Sequence, residues 1–202
     1  MHSPDSVLAT EQDVDQTRRL PGDLAMWCFI FAELLAFALL IGSMAYARGH
    51  WGEMFSQGIA TLHPIAGLIN TIILLTGSYF AANAVHRGTA GNHRALVSGF
   101  VLAAVCGLFY VAVKLTEYGM LFADGYNLRT NTFYFFYFFT TFFHMMHVLL
   151  GMIILLVVAR RCHSGYYADE EKVRMASESA ASYWHMVDLV WLVLFPLLYV
   201  LP

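Results

Sequence analysis

Two histidines three residues apart, His144 and His147, occur in Phe143-His144-Met145-Met146-His147, inside a run without charge from Thr130 to Ala159. Imidazoles bind metals and haem, relay protons and exchange hydrogen bonds, and every one of these uses needs a partner. Three further places pair chemistry-bearing residues with apolar surroundings. Glu33 stands nine residues into the apolar run that starts at Leu24, which at ~1.5 Å per residue is about 13 Å along a helix. A carboxylate in such surroundings has to be protonated or paired with a buried donor. His185 and Asp188 are three apart between Trp184 and Trp191, so an imidazole donating to the carboxylate would neutralise both locally. Lys114 and Glu117, also three apart, lie near the end of another apolar run. They are expected to form an interfacial ion pair, with the lysine stem snorkelling to the membrane surface.

Phe133, Tyr137, Thr140, His144, His147 and Gly151 follow spacings of four, three, four, three and four, which is one face of a helix. A stripe of phenol, hydroxyl and imidazole cannot favourably face lipid, so it should point into a bundle. The seven consecutive aromatics from Phe133 to Phe139 wrap the whole helix. Lipid contact is expected for most of them, with Tyr134 and Tyr137 near the interface. Two histidines three apart are a weak metal signal without a glutamate-histidine helix motif or a cysteine cluster, and Cys28, Cys106 and Cys162 are scattered. The reading is therefore a buried polar network of Glu33, His144, His147, His185 and Asp188. No metal, haem or catalytic centre is expected in this chain.

The elements that must position these residues follow from composition. Of 202 residues, 59% are hydrophobic and 12% charged, and mean hydropathy is +0.60, whereas a soluble domain carries about a quarter charged residues. The chain is all-α and membrane-embedded, with no room for a separate soluble catalytic module. Apolar runs at 24–47, 65–85, 95–122, 132–158 and 183–201 each suffice to cross a ~30 Å hydrocarbon core as a helix. A single domain, 24–202, then follows a polar tail, 1–23, that is expected to be mobile and has no signal-peptide pattern. Arg18, Arg19, Arg87, Arg94, Arg160, Arg161, Lys172 and Arg174 fall on one side, against Arg48 and Arg129 on the other. The positive-inside rule then puts the N-terminus in the cytoplasm and the C-terminus in the periplasm. Gly99, Ala103 and Gly107 form a small-residue packing stripe, with similar pairs at Ala38/Gly42 and Gly77/Ala81. Such stripes admit close helix approach and are expected to receive partner helices.

Five segments in order, FIFAELLAF around Glu33, HPIAGLINTIILLTGS from His63, KLTEYGMLFADG from Lys114, FHMMHVLLG from Phe143 and YWHMVDLVWLVLF from Tyr183, resemble subunit III of the haem-copper respiratory oxidases in its shorter, five-helix form. The resemblance covers roughly Asp23 to Tyr199. It implies a subunit without haem or copper, packed beside a catalytic subunit in a bacterial inner membrane and supporting assembly, stability or proton supply. Glu33, His144, His147, His185 and Asp188 would belong to the bundle's polar interior. It also implies membrane lipids as neighbours, allows a bound phospholipid, and suggests no nucleic-acid partner. Longer members carry two further N-terminal helices and hold lipids in a cleft. Met145 stands where oxidase members usually have glycine, and with the short build this resembles the branch that accompanies nitric oxide reductases. A different class of function, proton conduction through Glu33, His144, His147, His185 and Asp188, is the competing expectation.

Overall fold

The computed structural model describes residues 22–167 and 169–201. Most of the polar tail therefore lies outside the described residues. Its last two positions are fixed: the Gly22 amide donates to Glu178 and the Asp23 amide to the Ser179 hydroxyl, both at 2.9 Å. Six helices follow: α1 Leu24–His50, α2 Gly52–Ala60, α3 Pro64–Thr89, α4 His93–Ala123, α5 Thr132–His163 and α6 Glu170–Tyr199. All but α2 are long and apolar enough to cross a membrane. Caps mark several starts, with the side chains of Asp23, Asn92 and Asn131 accepting from the amides of Ala25, Ala95 and Tyr134. Pro64 opens α3, where its missing N–H costs nothing.

Two elements differ from the hydropathy reading. The last helix begins at Glu170 rather than 183. The added stretch, Glu170 to Ser182, is made largely of Glu, Lys, Arg, Met, Ala and Ser, and it continues the helix beyond the apolar run that a span search detects. α2 is a short helix between spans that buries Phe55 and Gly58 against the start of α5, with the Phe55 and Phe133 rings 5.5 Å apart.

Consecutive helices α3, α4, α5 and α6 run antiparallel and close into a ring, each packed against two neighbours, as in an up-and-down bundle. α1 lies outside that ring, in the groove between α5 and α6. Its span is 11% buried against 39–56% for the others, so it is the peripheral helix. Much of its remaining surface is apolar side chain (Phe31, Leu35, Leu39, Tyr46), which lipid solvates.

The small-residue stripe of α4 is used inside the ring and not by an outside helix. A Cβ at Gly99 would stand 2.6 Å from the Ala84 Cβ and 3.0 Å from the Phe80 carbonyl, and one at Gly107 would stand 2.8 Å from Met152 and Trp184. Ala103 is fully buried. The reason is that α3 closes over Gly99 and Ala103 while Met152 of α5 and Trp184 of α6 close over Gly107, which leaves no surface for a partner there. On α1, by contrast, nothing lies within 4 Å of Gly42. Gly99→Leu should therefore wedge α3 from α4 and destabilise the protein by about 1–3 kcal/mol, while Gly42→Leu should leave it unchanged. Thermal unfolding of the two variants in the same detergent checks this contrast.

Candidate functional site

The polar stripe of α5 turns inward: Phe133, Tyr137, Thr140, His144, His147 and Gly151 are all buried. The aromatic run behaves differently from the lipid-facing expectation. Phe133, Tyr134, Tyr137 and Phe138 are at most 3% exposed, and the most open rings are Phe135 and Phe139. Four of seven fall inside because a helix between α4 and α6 presents more than half its circumference to neighbours. Tyr134 is held by Thr61 at 2.7 Å and a stacked Tyr126 ring.

The two histidines answer to different partners. His144 Nε2 lies 3.0 Å from the Val187 carbonyl, and a carbonyl only accepts, so Nε2 carries the proton. Nδ1 is then bare and accepts from the Tyr110 hydroxyl at 3.0 Å. His147 uses the opposite nitrogen: Nδ1 donates to the Phe143 carbonyl at 2.8 Å, and Nε2 stands 2.8 Å from Glu33 Oε2. That short contact needs one proton between imidazole and carboxyl, and the pair is neutral overall whichever atom holds it. The tie joins peripheral α1 to the ring, with Phe37 one turn on packed against His147 at 5.0 Å.

His185 and Asp188 do not bond each other as the spacing suggested. Ser78 of α3 is the partner of His185 instead, 3.0 Å from its Nδ1. Asp188 Oδ1, Trp184 Nε1, Thr140 Oγ1 and both polar atoms of Asn70 are buried without a protein partner. The five residues proposed as one network thus fall apart: Glu33 pairs with His147, His144 with Tyr110 and His185 with Ser78, and Asp188 joins none of these pairs.

The largest departure concerns Lys114 and Glu117. Their ion pair is present, with Nζ to Oε2 at 2.9 Å, but both side chains have no exposed surface at all, so nothing snorkels to an interface. Lys114 shares the inward face of α4 with Tyr110, Val111, Glu117, Tyr118 and Leu121. It is also nine residues short of the helix end, ~14 Å at 1.5 Å per residue. The stem therefore points into the ring. There the ammonium donates to Glu117, to the Tyr137 hydroxyl at 3.1 Å and to the Tyr199 hydroxyl at 2.5 Å. Tyr199 in turn donates to Glu117, at 2.8 and 2.9 Å from its two oxygens. The rings of Tyr137, Tyr199, Tyr118 and Trp191 surround the ammonium at 4.7–5.4 Å, a cation–π cage in low dielectric. All three ammonium protons are used, and both carboxylate oxygens accept.

Tyr110, Tyr118, Tyr199, Ser78 and Thr71 escaped the sequence reading. Tyr110 and Tyr118 carried a signal, since they sit four residues either side of Lys114 on its helix face. Tyr199, 85 residues away in the chain, carried none. Among the described residues, no three His, Cys, Asp or Glu side chains converge as a metal site would require.

A bundle of five apolar helices whose interior is tied by charged and polar pairs defines a multi-pass membrane protein. The profile of the family described as "Cytochrome c oxidase subunit III" matches residues 20–201, and the chain belongs to that family. Among similar proteins, the "Cytochrome c oxidase subunit 3" of Thermostichus vulcanus is 31% identical over 183 residues, covering 88% of this chain and 86% of that protein. A "Probable cytochrome c oxidase subunit 3" of Rickettsia prowazekii is 30% identical, and there the match covers 86% of this chain but 60% of the relative. The "Heme-copper oxidase subunit I+III" of Aeropyrum pernix is 26% identical over 180 residues, 22% of its length.

The cage makes a direct prediction. Tyr199→Phe removes one acceptor for Lys114 and the proton donor to Glu117, and should lower stability by about 1–3 kcal/mol. Tyr46→Phe, on the exposed face of α1, should not. Chemical or thermal unfolding in detergent reads both.

Proposed function

We propose that this chain is a non-catalytic accessory subunit of a haem-copper respiratory complex, packed beside the catalytic subunit in a bacterial inner membrane. The observation that carries this reading is where its polar groups go. The Lys114, His144 and Glu33–His147 groups are each engaged by side chains or carbonyls of this chain's own helices, while family membership supplies the class of partner. Their chemistry serves the bundle's shape, and any effect on electron transfer is indirect, through assembly, stability or proton supply to the catalytic subunit.

The terminal acceptor, oxygen or nitric oxide, is set by the catalytic subunit it joins. The short build does not separate the two, since the Thermostichus relative is nearly as short by coverage. Met145 standing where oxidase members usually carry glycine is the feature that favours the nitric oxide reductase branch in this proposal.

A bound phospholipid belongs to the same proposal. At the end of the bundle that bears most of the arginines, a cavity of about 830 Å³ opens between α1, α5 and α6. Arg161 and Lys172, with Asp23 as the one acid, line it together with Met26, Phe29, Ile154 and Val158. Cationic groups above an apolar trough suit an anionic headgroup with its acyl chain.

Gentle solubilisation of native membranes followed by affinity purification of the tagged chain tests the reading. The expected result is co-purification of a haem-containing catalytic subunit, whose identity by mass spectrometry assigns the acceptor. His144→Leu and His147→Leu should reduce the recovered complex while leaving the haem spectrum of what remains unaltered. Recovery of the chain alone under conditions that keep other respiratory complexes intact, or a haem band carried by the isolated chain, contradicts it.

A further inference from the structure

Asn70 of α3 is fully buried, and neither its amide nitrogen nor its oxygen meets a protein partner. Its direction can be read from its neighbours. Thr71 and Ser78, on one side of the α3 wheel, bond Trp191 and His185 of α6. Ala84, on the other side, packs on Gly99 of α4. Asn70 lies between these two directions, so it faces the centre of the ring.

Its layer follows from the α3–α4 register. Gly77 faces Cys106 and the Ala103 carbonyl. Two turns back along α3 is Asn70, and two turns forward along antiparallel α4 from Cys106 is the neighbourhood of Lys114. Trp191, which donates to adjacent Thr71, touches the same layer from α6, its ring near both Lys114 and Tyr110.

Most protein groups at that level are already committed, the exception being the Thr140 hydroxyl of α5, which like Asn70 is buried without a protein partner. Lys114 has given its three protons to Glu117, Tyr137 and Tyr199. The Thr71 hydroxyl donates to the Gly67 carbonyl and accepts from Trp191. Tyr110 has given its one proton to His144 but retains a lone pair. An amide presents two donors and one acceptor, and leaving them unmatched in a membrane bundle is costly. Buried polar atoms of this kind are the usual anchors of internal water.

We propose that Asn70 holds ordered water at the centre of the four-helix ring, on the layer between the Lys114–Glu117–Tyr199 cage and the Tyr110–His144 pair. Water accepts from the amide nitrogen and donates to the Tyr110 oxygen, and α3 is thereby tied to the polar core of the other three ring helices. Asn70 is then a water ligand, and its substitution removes bonds that the rest of the core uses.

Thermal unfolding of the full chain in lipid nanodiscs, wild type against Asn70→Leu, reads the sign. An amide that holds water makes the leucine variant less stable, by about 3 °C or more, whereas an amide buried dry makes it equally or more stable. Because leucine differs in shape, density from an experimental structure fine enough to show ordered water decides any loss of stability. A water within hydrogen-bonding distance of the Asn70 amide supports the proposal. An amide bonded only to protein groups, or one with no water beside it, overturns it.

Discussion

A lysine and a glutamate with no exposed surface, inside helices that cross lipid, are the constraint on which the rest of the fold turns. An ion pair in low dielectric gains strongly from Coulomb attraction but loses the hydration of both charges. It persists only where hydrogen bonds replace that hydration. Lys114 and Glu117 obtain theirs from Tyr137 of α5 and Tyr199 of α6, so three helices must be in register at one level before the charge is tolerable. The hydrophobic effect does not drive such registration between helices already in lipid; packing and polar pairing do. The cage thus specifies which faces of α4, α5 and α6 meet, and Gly107, which would crowd Met152 of α5 and Trp184 of α6 if it carried a Cβ, lets them come close.

Peripheral α1 obeys the same rule with fewer resources. It buries little of its surface and is pinned at three levels: Gly22 and Asp23 on Glu178 and Ser179 at its start, Glu33 on His147 in its middle, and Arg48 on the Leu201 carbonyl at 2.7 Å at its end. The Glu33–His147 contact is the tie at membrane depth. It keeps α1 against the α5–α6 groove while the opposite face stays open to lipid or to a larger assembly.

Much of this was legible in the chain. Five apolar runs set the five spans, and the 4-3-4-3-4 spacing from Phe133 to Gly151 set the inward face of α5, because lipid punishes a polar stripe wherever it points outward. The α6 start was not legible, since its first turns are polar and lie outside the criterion that finds a span. The depth of Lys114 was misread for a related reason: snorkelling is the cheaper outcome for a lone lysine near a helix end, and only tertiary structure brings Tyr137 and Tyr199 to it. The pairing of His147 with Glu33 and of His144 with Tyr110 likewise depends on which helices become neighbours. One sequence states the polar inventory and the faces, while the matching of partners is a property of the packed bundle.

The central claim is that the buried charges stabilise the bundle as a unit, and a double-mutant cycle on Lys114 and Glu117 tests it most directly. Unfolding free energies in nanodiscs would be compared for wild type, Lys114→Met, Glu117→Leu and the double variant. Each single change should cost about 3–5 kcal/mol by stranding the other charge, and the double variant should recover most of that loss. Costs that simply add, or single variants as stable as wild type, would contradict the account.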